Sequence, residues 1–476
     1  MKPLNCLLSL VLFAGVSIAT AETKAAPPNI VVFISDDHGI WDSEPYGAKD
    51  IHTPNLTKLA AEGMKFTHAF AASPSCGPSR TALLTGLWPA RNGAEPNHKP
   101  KRPDVAGLPT ALHALGYEVA AIGKVAHNDF AKYYDFDFVA GPSVGATDTV
   151  AVEKYLAGRD KSKPLCLFFG THYPHTPWLE NKTYDPAALK LPPTFVNTAI
   201  TQKQRAQYAT SVTAADRLLG EVRELTRQNV PGDTLFIYTA DNGAAWPFAK
   251  WDVYDASVHE PFIAVWPGHL KPASTNAAMI CLPDMLPTFI ELAGGKVPVG
   301  LDGRSFAGLL RGETSTHRDR VFATCSGDGD FNVYPSRSLR TREWNYILNL
   351  HPEFQHHTHI SRSSGAANGI VFWQSWLAAA RTNAFAASVV KRYIERPAEE
   401  LYDLKADPFE LHNLAADPKQ AERLSSMRTE LKAWIKEQGD QETVFGKPLL
   451  IGEPVTLIDR GAGKKKARNS ANPEKE

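Results

Sequence analysis

The fold is decided by the stretch NIVVFISDDHG, residues 29–39. Its first six residues form a continuous apolar, β-branched run, which is typical of a strand buried on both faces of a sheet. The run ends abruptly at Asp36 and Asp37. A second run, TLFIYT at 234–239, ends in the same way at Asp241 and Asn242. We therefore expect two buried strands that deliver acidic turns at their carboxyl ends.

Helical patterns lie between the strand candidates. Thr53-Pro54 supplies an N-cap and a first-turn proline for a helix that ends at Gly63, and residues 202–228 carry apolar side chains at helical spacing. Alternating strands and helices predict an α/β sheet covered on both faces, with ligands bound beyond the carboxyl ends of the strands. The remaining strand candidates here are 118–122, 165–169 and 262–266.

The 476 residues are enough for one large domain and a smaller one. The composition changes after about Gly327, so we predict a larger N-terminal domain over 22–330 and a smaller C-terminal domain over 331–450. The C-terminal candidates are strands at 337–346 and 400–404, a loop at 351–369 and a helix at 418–438. The basic segment 451–476 is predicted to be a disordered tail.

The N-terminus predicts export. A lysine, a short apolar run from Leu7 to Ile18 and the sequence ATA at 19–21 form a signal peptide over 1–21, with an uncleaved anchor as the alternative. No other segment reads as a membrane span. We expect a periplasmic or extracellular protein. The formal net charge is zero, which gives no reason to expect nucleic acid as a partner.

Cys76 stands out among the cysteines because it lies in a polar turn, CGPSR at 76–80. Pro78 fixes the backbone there, Gly77 permits close approach, and Leu83 and Leu84 indicate that a helix begins near Pro78. A helix N-terminus and the Arg80 guanidinium favour an anion beside Cys76. A structural cysteine in a tight turn is the alternative.

The acidic turns predict a cation site. Asp36, Asp37, Asp241 and Asn242 offer hard oxygen ligands, which suit Ca²⁺, or Mg²⁺ as the smaller alternative. The absence of thiolate and imidazole from this set disfavours a transition metal. Asp36-Asp37 alone could be a solvated turn, but the matching turn after a second buried strand argues against that interpretation.

Cys76-x-Pro78-x-Arg80, extended by Leu84-Thr85-Gly86, resembles the signature of the type I, formylglycine-dependent sulfatases. The resemblance implies an alkaline-phosphatase-like sulfatase fold: a large mixed sheet flanked by helices, with a smaller C-terminal α+β domain. It also implies that a formylglycine-generating enzyme converts Cys76 to an aldehyde, whose hydrate attacks sulfur. Ca²⁺ would be held by Asp36, Asp37, Asp241, Asn242 and the modified residue 76.

The same resemblance assigns the remaining site residues, which lie in the segments GKVAH (123–127) and HYPHTP (172–177) and at Lys250. Arg80, Lys124 and Lys250 would contact sulfate. His127 would hydrogen-bond the nucleophile and help to deprotonate it, and His175 would protonate the leaving group. His172 and His98 are weaker candidates for substrate contacts. His98, His351, His356 and His357 are otherwise interpreted as exposed loop residues.

Within the family, the chain is most similar to the N-sulfoglucosamine sulfohydrolases, or heparan sulfamidases. Two departures from the sulfamidases leave open which bond is cleaved. Lys124 and His127 are separated by one residue more than in those enzymes, and Lys250 stands where they have an arginine. We therefore expect hydrolysis of a sulfated carbohydrate, with N-sulfo and O-sulfo groups both open. A phosphonate or phosphodiester hydrolase of the same fold is an alternative. A glycan-binding protein with an inactive site is disfavoured by the complete residue set.

Overall fold

The structure is a computed structural model, and it describes residues 26–141, 149–364 and 370–459. The predicted signal peptide and residues 460–476 of the predicted tail lie outside these ranges. In the described part of the chain, no helix is both long and apolar enough to cross a membrane.

The larger sheet is built from nine strands of the described residues. They are β1 (Asn29–Ser35), β2 (Met64–Phe70), β3 (Glu118–Gly123), β4 (Phe138–Ala140), β5 (Leu165–Gly170), β6 (Thr234–Ala240), β7 (His259–Val265), β8 (Ser274–Asn276) and β9 (Ile280–Cys281).

The sheet is mixed, as predicted. Its order is β4-β3-β5-β1-β6-β7-β2-β8, with β9 also paired to β2. The five strands from β4 to β6 are parallel, whereas β7 is antiparallel to both of its neighbours. β1 lies between β5 and β6, with Ile34 opposite Gly170 and Thr239. The ends of three parallel strands therefore meet at the acidic turn after β1.

Helices cover both faces of this sheet. The described α-helices are α1 (Pro54–Glu62), α2 (Cys76–Thr85), α3 (Pro89–Asn92), α4 (Leu108–His113), α5 (Val150–Gly158), α6 (Ala199–Asn229), α7 (Asp255–Val258), α8 (Met285–Leu292), α9 (Ala307–Leu310), α10 (His359–Arg362), α11 (Phe372–Ala380), α12 (Ala384–Ile394) and α13 (Ala421–Glu437). The predicted helices 54–63 and 202–228 correspond to α1 and α6. α2 begins at Cys76 itself rather than near Pro78, because Gly77 and Pro78 fit the first turn of a helix.

The core lies on both sides of the sheet. Ile30, Val32 and Ile34 of β1 pack into one apolar cluster, and Val31 and Phe33 pack into the other. This alternation follows from the two-residue period of a strand. It explains why the β1 run is apolar without interruption.

A second, antiparallel sheet of four described strands forms the smaller unit: β10 (Arg320–Cys325), β11 (Ser336–Thr341), β12 (Trp344–Asn349) and β13 (Glu399–Asp403). Its first strand precedes the predicted start of the C-terminal domain at 331, although the domain boundaries themselves stay predictions. The predicted single strand 337–346 is wrong: it is a hairpin of β11 and β12, with a tight turn in which the Trp344 amide donates to Thr341 Oγ1 at 3.1 Å.

The prediction of a loop at 351–369 with exposed histidines is also wrong for the described residues 351–364. The segment contains α10, and His356 and His357 are buried. His356 Nδ1 contacts the Tyr393 carbonyl at 3.0 Å, and His357 contacts Ser361 Oγ and Gln355 Oε1 at 3.0 and 2.9 Å. Burial is tolerated because His357 bonds through both ring nitrogens and His356 bonds through Nδ1.

Candidate active site

The site lies at the carboxyl edge of the larger sheet. Asp36 follows β1, Lys124 follows β3, His172 follows β5 and Asp241 follows β6. α2 points its N-terminus, with Cys76 as its first residue, at the same place. These elements surround a cavity of about 200 Å³. Among its lining residues are Cys76, His98, Lys124, His127, His172, His175 and Lys250.

Cys76 is almost fully buried at the floor of this cavity. Its Sγ lies 3.3 Å from Asp36 Oδ1 and 3.6 Å from Lys250 Nζ. Burial and the Asp36 carboxylate raise the pKa of the Cys76 thiol well above its usual value. The unmodified side chain is therefore a neutral thiol and a poor nucleophile.

Three buried carboxylates are each paired with one buried cation. The pairs are Asp36 with Lys124 Nζ at 2.5 Å, Asp37 with Lys250 Nζ at 2.6 Å, and Asp241 with Arg80 Nε at 2.7 Å. Buried charges persist when they are paired in this way.

These groups perturb one another's ionisation. Burial raises the pKa of Asp36, but Lys124, His175 and Arg80 together hold it well below its usual range. Burial raises the pKa of Asp37 despite Lys250. Burial, opposed by Arg80, raises the pKa of Asp241 to about 6. Crowded carboxylates of this kind are stabilised in their charged form by a bound cation.

The donor set fits a hard divalent cation. One ligand atom each from Asp36, Asp37, Cys76 and Asp241 lie within 4.8 Å of one another. The buried Asn242 Oδ1 beside them has no hydrogen-bond partner among the described residues. A buried amide oxygen without a partner is costly, and coordination would satisfy it. The structure thus has a possible acidic metal site, as the sequence predicts.

Arg80 lies behind the cavity and does not line it. Its guanidinium donates to Asp241, to Asp36 Oδ1 at 3.5 Å and to the Lys124 carbonyl. As placed here, Arg80 orients two carboxylates and the Lys124 backbone. A direct contact with sulfate therefore requires some of these donors to be redirected.

The two histidines after β5 face the carboxylates. His172 Nε2 lies 3.9 Å from Asp36 Oδ2, and His175 Nε2 lies 3.8 Å from Asp37 Oδ2. Their ring centroids are 4.5 Å apart. Burial lowers the pKa of His172 to about 4 and lowers that of His175 well below its usual value. Both rings are therefore neutral near pH 7.

His127 and His98 form one side of the cavity. His127 is buried, and its Nε2 lies 2.6 Å from Nδ1 of the half-exposed His98. Burial and the nearby Lys124 lower the pKa of His127 well below its usual value. His98, a candidate for substrate contact, therefore lines the cavity, is half-exposed and contacts His127.

Five further lining residues have no counterpart in the sequence analysis: Asn97, Asn128, Trp251, Asp328 and His359. Asp328 accepts hydrogen bonds from Asn97 Nδ2 at 3.0 Å and Trp251 Nε1 at 2.9 Å. The only signal available was an acidic residue between two glycines, Gly327-Asp328-Gly329, near the change in composition. The spacing of this segment from the other motifs gives no reason to place it at the site.

Comparison with known proteins identifies the family. The sulfatase family model matches residues 28–295. A model described as the C-terminal part of N-sulphoglucosamine sulphohydrolase matches residues 244–356. The chain is 33% identical to an ulvan-active sulfatase of Formosa agariphila, over 89% of this chain and 83% of that protein. It is 28% identical to human N-sulphoglucosamine sulphohydrolase, over 88% of this chain and 91% of that enzyme.

Solved structures agree on the fold. One is a protein in complex with its substrate D-glucosamine-2-N,6-O-disulfate; its TM-score is 0.66 at 20% identity, with 87% of this chain and 99% of that chain covered. Another is a phosphonate monoester hydrolase from Silicibacter pomeroyi, with a TM-score of 0.64 at 20% identity over 87% of this chain and 96% of that one. The predicted alkaline-phosphatase-like sulfatase fold is confirmed. This chain belongs to the sulfatase family and is a sulfate ester or sulfamate hydrolase.

Proposed function

We propose that the protein hydrolyses a sulfate group from a carbohydrate, through a formylglycine formed from Cys76 and with Ca²⁺ bound by Asp36, Asp37, Asp241 and Asn242. One observation carries the proposal: Cys76 lies at a helix N-terminus in a cavity with Lys124 and Lys250, above three buried carboxylates. Export, with cleavage after residue 21, and a formylglycine-generating enzyme as maturation partner belong to the same proposal.

The charge balance supports an anionic substrate. Three carboxylates offset the three cations Arg80, Lys124 and Lys250. A bound divalent cation would leave a net positive site, and such a site stabilises charge on a sulfate and on its leaving atom. When bound, Ca²⁺ supplies Lewis-acid polarisation of a sulfate oxygen. When formed, formylglycine supplies the oxygen nucleophile that the neutral Cys76 thiol lacks.

The chain's own residues bind the sulfate and move protons. Lys124 and Lys250 stay protonated, because Asp36 and Asp37 outweigh burial and raise their pKa values. Their ammonium groups bind sulfate oxygens. His175 is neutral in the free site, and an arriving sulfate anion favours its protonated form. It then donates that proton to the leaving atom.

Two assignments of the cleaved bond stay in competition. An N-sulfo group is supported by the match at 244–356 to the N-sulphoglucosamine sulphohydrolase C-terminal model. An O-sulfate ester of another polysaccharide is supported by the 33% identity to an ulvan-active sulfatase. Phosphonate or phosphodiester hydrolysis is supported less, because the corresponding neighbour shares the fold alone.

Mass spectrometry of the peptide that contains Cys76 tests the nucleophile. The protein is co-expressed with a formylglycine-generating enzyme, and we expect the mass of an aldehyde in place of the thiol. Cys166, buried in β5, is the internal control and stays a thiol. An unmodified Cys76 in enzyme that is fully active would overturn the proposed nucleophile.

A panel of N-sulfoglucosamine and of 2-O- and 6-O-sulfated sugars separates the substrate assignments. Free sulfate is measured for each compound, with a phosphonate monoester as the comparison. We expect one sulfated sugar to be hydrolysed far faster than the phosphonate. A preference for the phosphonate contradicts the proposal.

A further inference from the structure

Three side chains form a hydrogen-bonded chain along one wall of the cavity. Asp328 Oδ1 lies 3.1 Å from His98 Nε2, and His98 Nδ1 lies 2.6 Å from His127 Nε2. His127 lines the same cavity as Cys76. The buried Asp328 is thereby linked to the cavity through two imidazoles.

Asp328 sets the direction in which the hydrogen bonds of this chain of three side chains are donated. Burial raises the pKa of Asp328, but the nearby His359 and the hydrogen bonds from His98 and Asn97 hold it well below its usual range, so it is ionised. Its Oδ2 accepts from Asn97 Nδ2 and from Trp251 Nε1, groups that only donate. A carboxylate can only accept from His98 Nε2. That nitrogen therefore carries a proton.

The proton position on His98 then fixes the direction of the next hydrogen bond, between His98 and His127. When His98 carries its single proton on Nε2, its Nδ1 has a lone pair. Asn128 Nδ2, a second donor, lies 3.2 Å from the same Nδ1 atom. His127 Nε2 therefore donates to His98, and Nδ1 of His127 keeps its lone pair. Among the described residues, this buried Nδ1 atom has no hydrogen-bond partner.

We propose that Asp328 and His98 are positioning residues that hold His127 in its Nε2–H tautomer, so that the His127 Nδ1 lone pair can accept a proton in the cavity. The inference rests on the proposed function, in which a hydroxyl group at residue 76 attacks sulfur. That hydroxyl proton moves to His127 Nδ1, and the Nε2 proton stays in its hydrogen bond to His98. Asp328 stays ionised and stabilises the imidazolium through His98.

The backbone conformation of His98 and Asn128 is consistent with a positioning role for these residues. His98 has φ 64° and Asn128 has φ 50°, both in the left-handed region that non-glycine residues rarely adopt. Such conformations cost free energy and persist when the surrounding structure imposes them. Here they bring the His98 and Asn128 side chains together beside His127.

The first experiment reads the tautomer directly. Imidazole ¹⁵N NMR of the holoenzyme, labelled on histidine, distinguishes protonated from unprotonated ring nitrogens, and a His127→Gln variant assigns the signals. We expect Nε2–H for His127 in the wild type, and a mixture with Nδ1–H in His98→Phe and Asp328→Asn. An Nδ1–H tautomer in the wild type, or no change in either variant, overturns the inference.

Kinetics on the sugar that is hydrolysed fastest give the second measurement. We expect His98→Phe and Asp328→Asn to lower kcat about 100-fold, with KM changed little, because each impairs the proton acceptor and not sulfate binding. His98→Gln can accept from His127 and donate to Asp328, so it should recover much of the loss. Unchanged kcat in both impaired variants, or no recovery in His98→Gln, contradicts the inference.

His113→Phe is the matched control. His113 Nε2 also contacts a carboxylate, Asp137 Oδ2, at a distance of 2.7 Å, but His113 does not line the cavity. Its kcat should equal that of the wild type. The two proposals fail separately: a wild type that hydrolyses none of the sulfated sugars ends the proposed function, whereas the NMR result stands without any activity.

Discussion

Lys250 combines full burial with a charge partner, Asp37, and a position 3.6 Å from Cys76 Sγ. Lys250→Met removes a cation that we expect to bind the sulfate, so kcat/KM should fall about 100- to 1,000-fold. Lys250→Arg keeps the charge and should retain more activity. Steady-state hydrolysis of the preferred sugar is the measurement. The exposed Lys271→Met is the control, and equal losses in Lys250→Met and Lys271→Met contradict the assignment.

Gly77 follows Cys76, the proposed nucleophile position, and its amide donates to Asn97 Oδ1 at 3.0 Å. A Cβ at residue 77 would lie 2.8 Å from that oxygen, closer than real contacts allow. Gly77→Ala should therefore displace Asn97 or the start of α2 and lower kcat, while circular dichroism stays native.

Gly158→Ala is the matched control for Gly77→Ala, because its Cβ would meet no atom within 4 Å. It lies at the end of α5, outside the site. A Gly77→Ala enzyme as active as Gly158→Ala shows that the close approach at residue 77 has no functional role.

Thr198 caps α6, the longest helix of the described residues. Its Oγ1 accepts from the Thr201 amide at 3.1 Å and contacts Ser375 of α11 at 2.8 Å. Thr198→Ala should lower the free energy of unfolding by about 1 kcal/mol, because a helix-start amide loses its partner. Urea denaturation measures the change. Thr198→Ser keeps the hydroxyl and should be close to wild type; a serine variant as unstable as the alanine variant contradicts the capping role.

Some elements were predictable from sequence and others were not, for a physical reason. β1, β5 and β6 are buried on both faces, so their apolar runs identify them. β11 is also buried but polar: Arg337 pairs with Asp440 at 2.9 Å, a partner 103 residues away. Its burial depends on that distant partner, which the local pattern does not contain.

Two buried histidines that precede α10, His356 and His357, make the stability of the molecule depend on pH. Burial lowers the pKa of His357 to about 4 and that of His356 well below its usual value. In the unfolded chain these groups titrate near about 6.5. Between about pH 6.5 and about 4 the unfolded state therefore binds more protons, and the free energy of unfolding falls as the pH falls.

Urea denaturation across that pH range tests this expectation. His357→Gln removes one of the two titrations, so the free energy of unfolding should decline less steeply from pH 6.5 to 4 than in the wild type. His412→Gln, at an exposed histidine, should leave the slope unchanged. Parallel slopes for wild type and His357→Gln contradict the expectation.

At the scale of the whole molecule, the site residues that could be predicted are those that belong to a recognisable sequence motif. Cys76, Lys124, His175 and Lys250 line one cavity, and Asp36 lies beside it in contact with Cys76 and Lys124. Their roles in the reaction stay predictions. The residues that the motifs missed come from separate parts of the chain: Asn97 precedes α4, Trp251 precedes α7, and Asp328 lies between β10 and β11. Asp328 reaches the cavity only because the chain folds back from β10, and its hydrogen bond from Asn97 spans 231 residues.

Those long separations set an order of events during synthesis. Lys250 meets Asp37 across 213 residues, and Asp328 is made later still. While the ribosome is producing the middle of the chain, Cys76 has not yet been enclosed by its later partners. Once the fold closes, the cysteine is only 2% exposed. If Cys76 is converted to formylglycine as proposed, the maturation enzyme has a limited time window, and we expect a chain that folds before it is modified to be stable but inactive.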